Sequence, residues 1–371
     1  MTMTSIPLRV LILGTGALAK LIGFRLATAR ESDAPLAAVT LAGDWTVALE
    51  AIAAGGIVLE ESDGRVGQAT VDALTREALT AALGLVDHPA STDPQGPDDP
   101  GRAGVPSDPR DLSDPDGLKD AFDLVLVLVK SRQTAAVAPL AAAAAGAGGR
   151  ILSLQNGLGN RELLQAAAGD PDRVLSGMTS VGATGLGPNK VRAGGLGVTR
   201  LGPSRGPGPS AEAIARLFSA AGLPCAVSPD VDALIWRKLA VSCAINPLTA
   251  LTGLPNGALL ADARLRSIAN AAAREAVAVA TALGIQLGAD GADLVAEVAE
   301  RTATNRSSML QDLDRGAPTE IDAICGAVVA RATALGLAAP VNAWLLRAVH
   351  RLESGRERVA VDWSEAEESI R

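Results

Sequence analysis

The chain has 371 residues, too many for one compact core and typical of two domains. Its formal charge is −8, from 33 basic and 41 acidic residues, so it lacks the basic character that a nucleic-acid partner requires. The three cysteines are Cys225, Cys243 and Cys325, and they are scattered without CxxC spacing. This spacing fits neither a disulfide framework nor a zinc site.

The beginning of the chain runs directly into an apolar strand and lacks the features of a signal peptide. A membrane span needs about 18 or more strongly apolar residues in a row, and no stretch reaches this length. The Ala-rich run at 135–147 is only weakly apolar and predicts a buried helix. We therefore expect a cytoplasmic protein that has no membrane partner.

Short apolar runs in the first part of the chain predict strands that are buried on both faces. They cover residues 8–13, 38–41, 122–129 and 149–154, and a helical pattern over 17–29 follows the first run. Strands that alternate with helices indicate an α/β fold with a Rossmann-type doubly wound sheet. From Asp232 onward the pattern is Ala/Leu-rich and helical. We predict a dinucleotide-binding domain at 1–231 and an all-α catalytic domain at 232–371.

A segment at about 89–117 differs sharply in composition from the rest of the first domain. Between His88 and Gly117 there are seven Pro and seven Asp, with almost no large apolar residue. Such a segment cannot bury enough apolar surface to offset the entropy of ordering. We predict a disordered surface insert, either neutral or regulatory.

A glycine motif follows the first strand and opens the first helix. Gly14 permits a tight turn, Gly16 allows close approach to a pyrophosphate, and Ala19 allows the helix to pack closely on the strand. The first helical N–H groups would face the phosphates. This context favours dinucleotide binding over a simple turn of small residues, and the predicted loop consists of Gly14, Thr15, Gly16, Ala17, Leu18 and Ala19.

Asp44 ends the second predicted strand, where related folds place an acid that binds the adenosine ribose. A carboxylate there would repel a 2′-phosphate and favours NADH over NADPH. Alternatively, Asp44 caps the following helix. Lys130 and Arg132, after the strand at 122–129, could still offer positive charge to a phosphate.

Reduction of a ketone requires an acid that protonates the developing alkoxide. The chain has no tyrosine, which excludes the Tyr/Lys arrangement of short-chain dehydrogenases. Its two histidines, His88 and His350, lie in positions that disfavour a His–Asp pair as the acid, and zinc ligands are lacking. Lysine is left as the acid, and no metal is expected.

Four segments, in order along the chain, resemble the ketopantoate reductase family. The helical segment 235–256 (IWRKLAVSCAINPLTALTGLPN) resembles the active-site motif of that family. The other three are KSRQT from Lys130, LQNGLGN at 154–160 and SSMLQDLDRGAPTEID at 307–322. The resemblance covers nearly the whole chain apart from the insert and the last residues.

The resemblance implies NADPH-dependent reduction of 2-dehydropantoate to pantoate, a step toward pantothenate and coenzyme A. It implies that Lys238 is the general acid and that Glu320 orients the substrate. By the same resemblance Asn156, Asn246 and Ser308 hold the substrate, and Lys130 contacts the cofactor, as does Asn156.

The residue pattern supports part of this assignment independently. Lys238, Ser242 and Asn246 are spaced i, i+4 and i+8, so they line one face of a helix that is otherwise apolar. Pro247 is predicted to break or kink this helix just beyond Asn246. By position alone, Glu320 is interpreted as a residue that interacts with a helix dipole, and Asn156 is interpreted as a turn residue.

Three departures from the family pattern leave alternatives open. Ser242 stands where the family has Asn, so the substrate could be another small 2-oxo acid. Asp44 replaces a basic or neutral residue, so NADH could replace NADPH. The insert has no counterpart in compact members. A non-enzymatic nucleotide-binding regulator is a third hypothesis, which the presence of Lys238 and Glu320 opposes. A homodimer built through the helical domain is expected from the architecture alone.

Overall fold

The computed structural model describes residues 6–85, 122–195, 197–355 and 362–370. The predicted insert at 89–117 and His88 therefore lie outside the described residues. The strands are β1 (Leu8–Leu13), β2 (Arg30–Glu31), β3 (Ala34–Pro35), β4 (Ala37–Gly43), β5 (Ile57–Glu60), β6 (Val66–Ala69), β7 (Asp72–Thr75), β8 (Leu124–Val127), β9 (Arg150–Ser153), β10 (Val174–Thr179), β11 (Ala183–Gly185), β12 (Lys190–Ala193), β13 (Thr199–Leu201) and β14 (Cys225–Val227).

An eight-stranded sheet has the order β14-β13-β10-β9-β8-β1-β4-β7. Its neighbouring strands are parallel, except that β10 and β13 are antiparallel. The chain adds β4 and β7 on one side of β1 and then β8, β9 and β10 on the other. The strand order thus reverses beside β1, which is the usual position of a ligand-binding crevice in open α/β sheets. The predicted doubly wound α/β fold is confirmed.

The last four residues of β1 are all apolar because this part of the strand is covered on both faces of the sheet. Val10 and Ile12 pack into the core on one face of the sheet, whereas Leu11 and Leu13 pack into the core on the other face. All four side chains are at most 2% exposed. A parallel strand covered on both sides needs an apolar residue at every position.

The helices are α1 (Ala17–Thr28), α2 (Thr46–Gly55), α3 (Arg76–Ala82), α4 (Thr134–Ala145), α5 (Asn160–Ala168), α6 (Ala211–Ala220), α7 (Val231–Thr252), α8 (Ala258–Ala261), α9 (Ala263–Ala282), α10 (Gly291–Arg301), α11 (Ser308–Asp314), α12 (Ala327–Ala334), α13 (Pro340–Glu353) and α14 (Ser364–Ile370). Short 3₁₀ turns cover Ser131–Gln133 and Pro171–Arg173, and a π-helical turn covers Asp322–Gly326. Among the described residues after Val231 the structure contains helices and connections but no strand. Helix α7 packs against α9, α10, α11 and α13.

Of the predicted break or kink at Pro247, the break does not occur: α7 continues to Thr252 and ends at Gly253, whose φ is +75°. Proline has no N–H group, so the carbonyl of Cys243, four residues earlier, loses its helical donor. The Sγ atom of the buried Cys325 lies 3.9 Å from that carbonyl oxygen, and its thiol donates a weak hydrogen bond to it. Tertiary packing and this weak bond keep the helix continuous through the proline.

The need for glycine at position 14, in the turn after β1, can be tested by substitution. Gly14 has φ +135°, and an added Cβ would lie 2.9 Å from the backbone of Leu128. We expect Gly14→Ala to lower the free energy of unfolding by about 1–3 kcal/mol, measured by urea denaturation. The control is Gly16→Ala, because a Cβ there meets no atom within 4 Å. A Gly14→Ala protein as stable as the Gly16→Ala protein would contradict this account.

Candidate active site

The carboxyl ends of four parallel strands place the predicted residues along one edge of the sheet. Gly14 follows β1, Asp44 follows β4, Lys130 lies three residues beyond β8, and Asn156 lies three residues beyond β9. These strands are consecutive neighbours in the order β9-β8-β1-β4. The glycine turn, Lys130 and Asn156 therefore lie along the same edge of the sheet.

Lys238 lies in the second turn of α7 and reaches toward this edge. Its Nζ donates hydrogen bonds to Asn156 Oδ1 at 2.8 Å and to the carbonyl oxygen of Thr179 at 2.7 Å. Burial lowers the pKa of Lys238 from 10.5 to about 8, although the charge of Glu320 opposes this shift. The ammonium is therefore a much stronger acid than an ordinary lysine.

Asn156 connects the two residues that the sequence predicts as catalytic. Its Oδ1 accepts from Lys238, and its Nδ2 donates to Glu320 Oε2 at 3.2 Å. An ammonium can only donate and a carboxylate can only accept, so the two partners together fix the orientation of the amide. Asn156 thus joins the end of β9 to the lysine and the glutamate of the helical segment.

Glu320 is 8% exposed and precedes the π-helical turn. Its Oε1 accepts from the backbone N–H of Ser131 at 3.1 Å, and the Ser131 hydroxyl is also 3.1 Å away. Its Oε2 lies 3.4 Å from Lys130 Nζ. These donors from beyond β8 hold the carboxylate in one orientation and compensate its burial.

Lys130 forms a second ion pair inside the site. Its Nζ lies 2.7 Å from Oδ2 of Asp312, a residue only 2% exposed, and Arg315 binds the other oxygen of Asp312 at 2.7 Å. Lys130 therefore links the strand edge to both α11 and Glu320. The sequence predicts Lys130 as a cofactor contact, and the structure adds these two carboxylate partners.

The loop after β9 docks on the π-helical turn through a very close backbone contact. Gly157 has φ +78°, and an added Cβ would overlap the carbonyl group of Ala323. The N–H of the next residue, Leu158, donates to that carbonyl oxygen at 2.9 Å. Only glycine fits here, and the contact fixes Asn156 relative to Glu320.

The three further predicted substrate residues occupy different positions. Ser242 lines a small cavity together with Lys238 and Asn156. Asn246 is one helical turn farther along α7 and is partly buried, whereas Ser308 is the exposed first residue of α11. The bond between Ser307 and Thr249, with 2.6 Å between the two hydroxyl oxygens, holds the start of α11 beside the end of α7.

The glycine loop connects β1 to α1. Gly16 is the N-cap of α1, no side chain caps this helix end, and its first turn contains no acidic residue. Ala19 is fully buried, whereas Ala17 and Leu18 are partly buried. Thr15 is 8% exposed and packs against Gly43 at the end of β4.

Asp44, which follows Gly43, forms an ion pair with Arg76. The distance from Arg76 Nε to Asp44 Oδ1 is 2.6 Å, and both side chains are nearly half exposed. The basic partner of Asp44 is the first residue of α3, and no pattern in the sequence indicates this pairing.

The geometry of the described residues also bears on a His–Asp pair, a metal site and a membrane span. His350 Nε2 lies 3.0 Å from Asp322 Oδ1, but the two side chains are 44% and 78% exposed, which describes a solvated surface pair. Within the described ranges, no group of three or more His, Cys, Asp or Glu residues is arranged to hold a metal ion. In the same part of the chain no helix is long and apolar enough to cross a membrane.

Sequence reasoning missed several residues of this network: Thr179, Asn160, Asp312, Ser307 and Thr249. Asn160 is 5% exposed, donates to the Asn156 carbonyl at 3.0 Å and accepts from Thr134 at 2.7 Å. The segments LQNGLGN and SSMLQDLDRGAPTEID contain Asn160, Ser307 and Asp312. The position of these polar residues inside family-like segments was the available signal. Thr179 acts through its backbone, which no sequence pattern reveals.

The fold and the site together define a class of protein. A doubly wound sheet with a glycine turn at its switch point, joined through Asn156 to a partly buried lysine and a glutamate of a helical segment, is the arrangement of a Rossmann-type oxidoreductase.

Comparison with known proteins specifies the family. The family model described as "Ketopantoate reductase PanE/ApbA" matches residues 10–206, and that of its C-terminal part matches 230–353. The chain therefore belongs to the ketopantoate reductase family. A 2-dehydropantoate 2-reductase from Archaeoglobus fulgidus is 39% identical over 235 residues, which cover 63% of this chain and 77% of the relative.

Solved structures agree with this assignment. A PanE/ApbA family ketopantoate reductase from Ralstonia eutropha JMP134 has a TM-score of 0.74 at 29% identity, covering 94% of this chain and 99% of that one. D-mandelate dehydrogenase, in a ternary structure with NADH and anilino(oxo)acetate, also has a TM-score of 0.74 with the same coverage. Its identity is 21%, so this likeness shows the fold alone.

The electrostatic coupling between Glu320 and Lys238 can be tested directly. Because the Glu320 charge raises the pKa of Lys238, Glu320→Gln should lower that pKa below about 8. The pKa is measured from the Cε chemical shift of ¹³C-lysine-labelled protein, with Lys238→Ala used to assign the signal. Glu162→Gln is the control, since Glu162 pairs with Arg331 instead. An unchanged or raised pKa in Glu320→Gln would refute the coupling.

Proposed function

We propose that this chain reduces 2-dehydropantoate to pantoate with NADPH, using Lys238 as the general acid. The observation that carries the proposal is the connected set Lys238–Asn156–Glu320, in which a lysine with a pKa of about 8 lies beside a fixed carboxylate. The name of the Archaeoglobus relative and the family of the chain support the substrate.

The residues present fit a nicotinamide dinucleotide. Gly16 leaves open space where a side chain would stand, and the first turn of α1 has neither a capping side chain nor an acidic residue. Free N–H groups at a helix N-terminus beside bare glycine backbone suit a pyrophosphate. The loop from Gly14 to Ala19 would hold it, and Asp44, which follows the neighbouring strand β4, would lie near the adenosine ribose.

When bound, the dihydronicotinamide supplies a hydride to the substrate's C2 carbon. Lys238 donates a proton to the oxygen on that carbon, which would otherwise become an alkoxide. An ammonium has three N–H donors, and the bonds to Asn156 and Thr179 use two, so the third is assigned to the substrate. After transfer the neutral amine is stable because burial favours the uncharged form.

Glu320 orients the substrate by accepting a hydrogen bond from its terminal hydroxyl. Ser131 and Asn156 keep the carboxylate in place, so little reorganisation is needed when the substrate binds. Asn246 and Ser308 are assigned to the set of polar groups that hold the substrate. The division at residue 231, a cytoplasmic location and a homodimer built through the helical segment remain predictions from the sequence.

Another small 2-oxo acid is the second candidate substrate, because Ser242 lines the cavity beside Lys238 and is shorter than the family's Asn. Parallel assays of nicotinamide oxidation with 2-dehydropantoate and with other branched 2-oxo acids decide between the two. The proposal requires the highest kcat/KM with 2-dehydropantoate. A higher value with another acid would reassign the substrate without changing the role of Lys238.

The acid role gives a specific prediction for Lys238→Ala. Loss of the proton donor should lower kcat by about 10²–10⁴-fold, while the dissociation constant for the dinucleotide stays nearly unchanged. Steady-state assays and calorimetric titration with the dinucleotide measure the two effects. Lys190→Ala is the control, since this partly exposed lysine of β12 pairs with Glu60 of β5 instead of with a residue of the site. Near-normal turnover in Lys238→Ala would refute the mechanism.

The same role predicts the pH profile. Lys238 must be protonated to donate, and its protonated fraction falls as the pH rises through about 8. We expect kcat/KM for the keto acid to decline above that pH. A profile that stays flat up to the ordinary lysine pKa of 10.5 would contradict the proposal.

A further inference from the structure

We propose that Arg76 is the anchor for the 2′-phosphate of NADPH, and that Asp44 serves to hold Arg76 in place. This inference rests on the proposed function for the identity of the cofactor. It resolves the conflict that the sequence raises, since a lone carboxylate at position 44 would repel a 2′-phosphate.

The positions of the two residues follow from the sheet. Strand β7 pairs with β4 in parallel, and Gly43 is the register partner of Thr75. Asp44 and Arg76 therefore leave neighbouring strands at the same level, at the carboxyl edge. Strand β4 is in turn the neighbour of β1, which ends at the glycine turn. Recognition of the 2′ position in such folds takes place at this edge, by an acid for a hydroxyl or by an arginine for a phosphate.

The geometry of the pair leaves binding capacity on the arginine. Arg76 contacts Asp44 Oδ1 through Nε at 2.6 Å, so this bond does not use the two terminal amino groups of the guanidinium. A guanidinium offers five N–H donors in a planar fork that suits a phosphate. The arginine side chain is 43% exposed, which leaves that fork accessible from solvent.

The charge balance favours the same assignment. One basic and one acidic group that are paired have little net charge, so the edge no longer repels an anion as Asp44 alone would. A 2′-phosphate carries close to two negative charges at neutral pH and can bind the outer side of Arg76 while Asp44 keeps the inner side. The carboxylate thus reduces the freedom of a long side chain that would otherwise have to be ordered on binding.

Binding of 2′,5′-ADP and of 5′-AMP, measured by calorimetry on the full chain, separates this role from turnover. The wild-type chain should bind 2′,5′-ADP more tightly. Arg76→Gln should weaken 2′,5′-ADP by roughly 10- to 100-fold, the loss of charge-assisted bonds, and change 5′-AMP by less than about threefold. Arg76→Lys should keep a clear preference for 2′,5′-ADP, since the charge remains.

The control is Arg65→Gln, because Arg65 forms a similar exposed pair with Asp63 at 2.7 Å through Nε. It should bind both nucleotides as the wild type does. Equal binding of the two nucleotides by the wild-type chain, or an unchanged preference in Arg76→Gln, would overturn the inference. Neither measurement uses the keto acid. A chain that shows Arg76-dependent binding but does not oxidise NADPH with 2-dehydropantoate would refute only the proposed function.

Discussion

The burial of one ammonium group is the constraint on which the rest of the site depends. Removing a charge from water is costly unless partners replace the lost hydration, and Lys238 obtains them from Asn156 and Thr179, which follow or end strands of the sheet. The helix that contributes Lys238 must therefore lie against the sheet edge. The incomplete compensation is useful, because it keeps the pKa of Lys238 at about 8 instead of 10.5.

This requirement explains why so many polar side chains are ordered around Asn156. Its amide must receive the ammonium on one side and face Glu320 on the other, and Asn160 bonds to its backbone carbonyl. Glu320 is held in turn by Ser131 and Lys130, and Lys130 is neutralised further by Asp312. The result is a buried polar network whose members each have a partner, the condition under which such networks give rigidity.

The sequence predicts the main features of the fold well because its signals are strong and local. An apolar run such as Val10–Leu13 that ends directly at a glycine turn is typical of a strand covered on both faces. The small sheet β11-β12-β5-β6 could not be foreseen, since its two local antiparallel pairs are joined by β12 and β5 across more than 100 residues. The expected break at Pro247 is absent for the opposite reason. A local rule was overridden by the packing of α7 and by a thiol from a distant turn. The ion partners of Lys130 and Asp44 depend on tertiary placement alone.

The π-helical turn after Glu320 makes the site sensitive to chain length in one place and tolerant in another. Such a turn holds one more residue than an α-helical turn, and here it presents the Ala323 carbonyl to Leu158. Deleting a single residue between Asp322 and Gly326 would leave an ordinary α-helical turn there and would move the Ala323 carbonyl away from its donor. By contrast, residues 86–121 separate α3 from β8 in the sequence, and β8 pairs with β1 on one side and with β9 on the other. Related chains should therefore differ freely in length before β8 and hardly at all after Glu320.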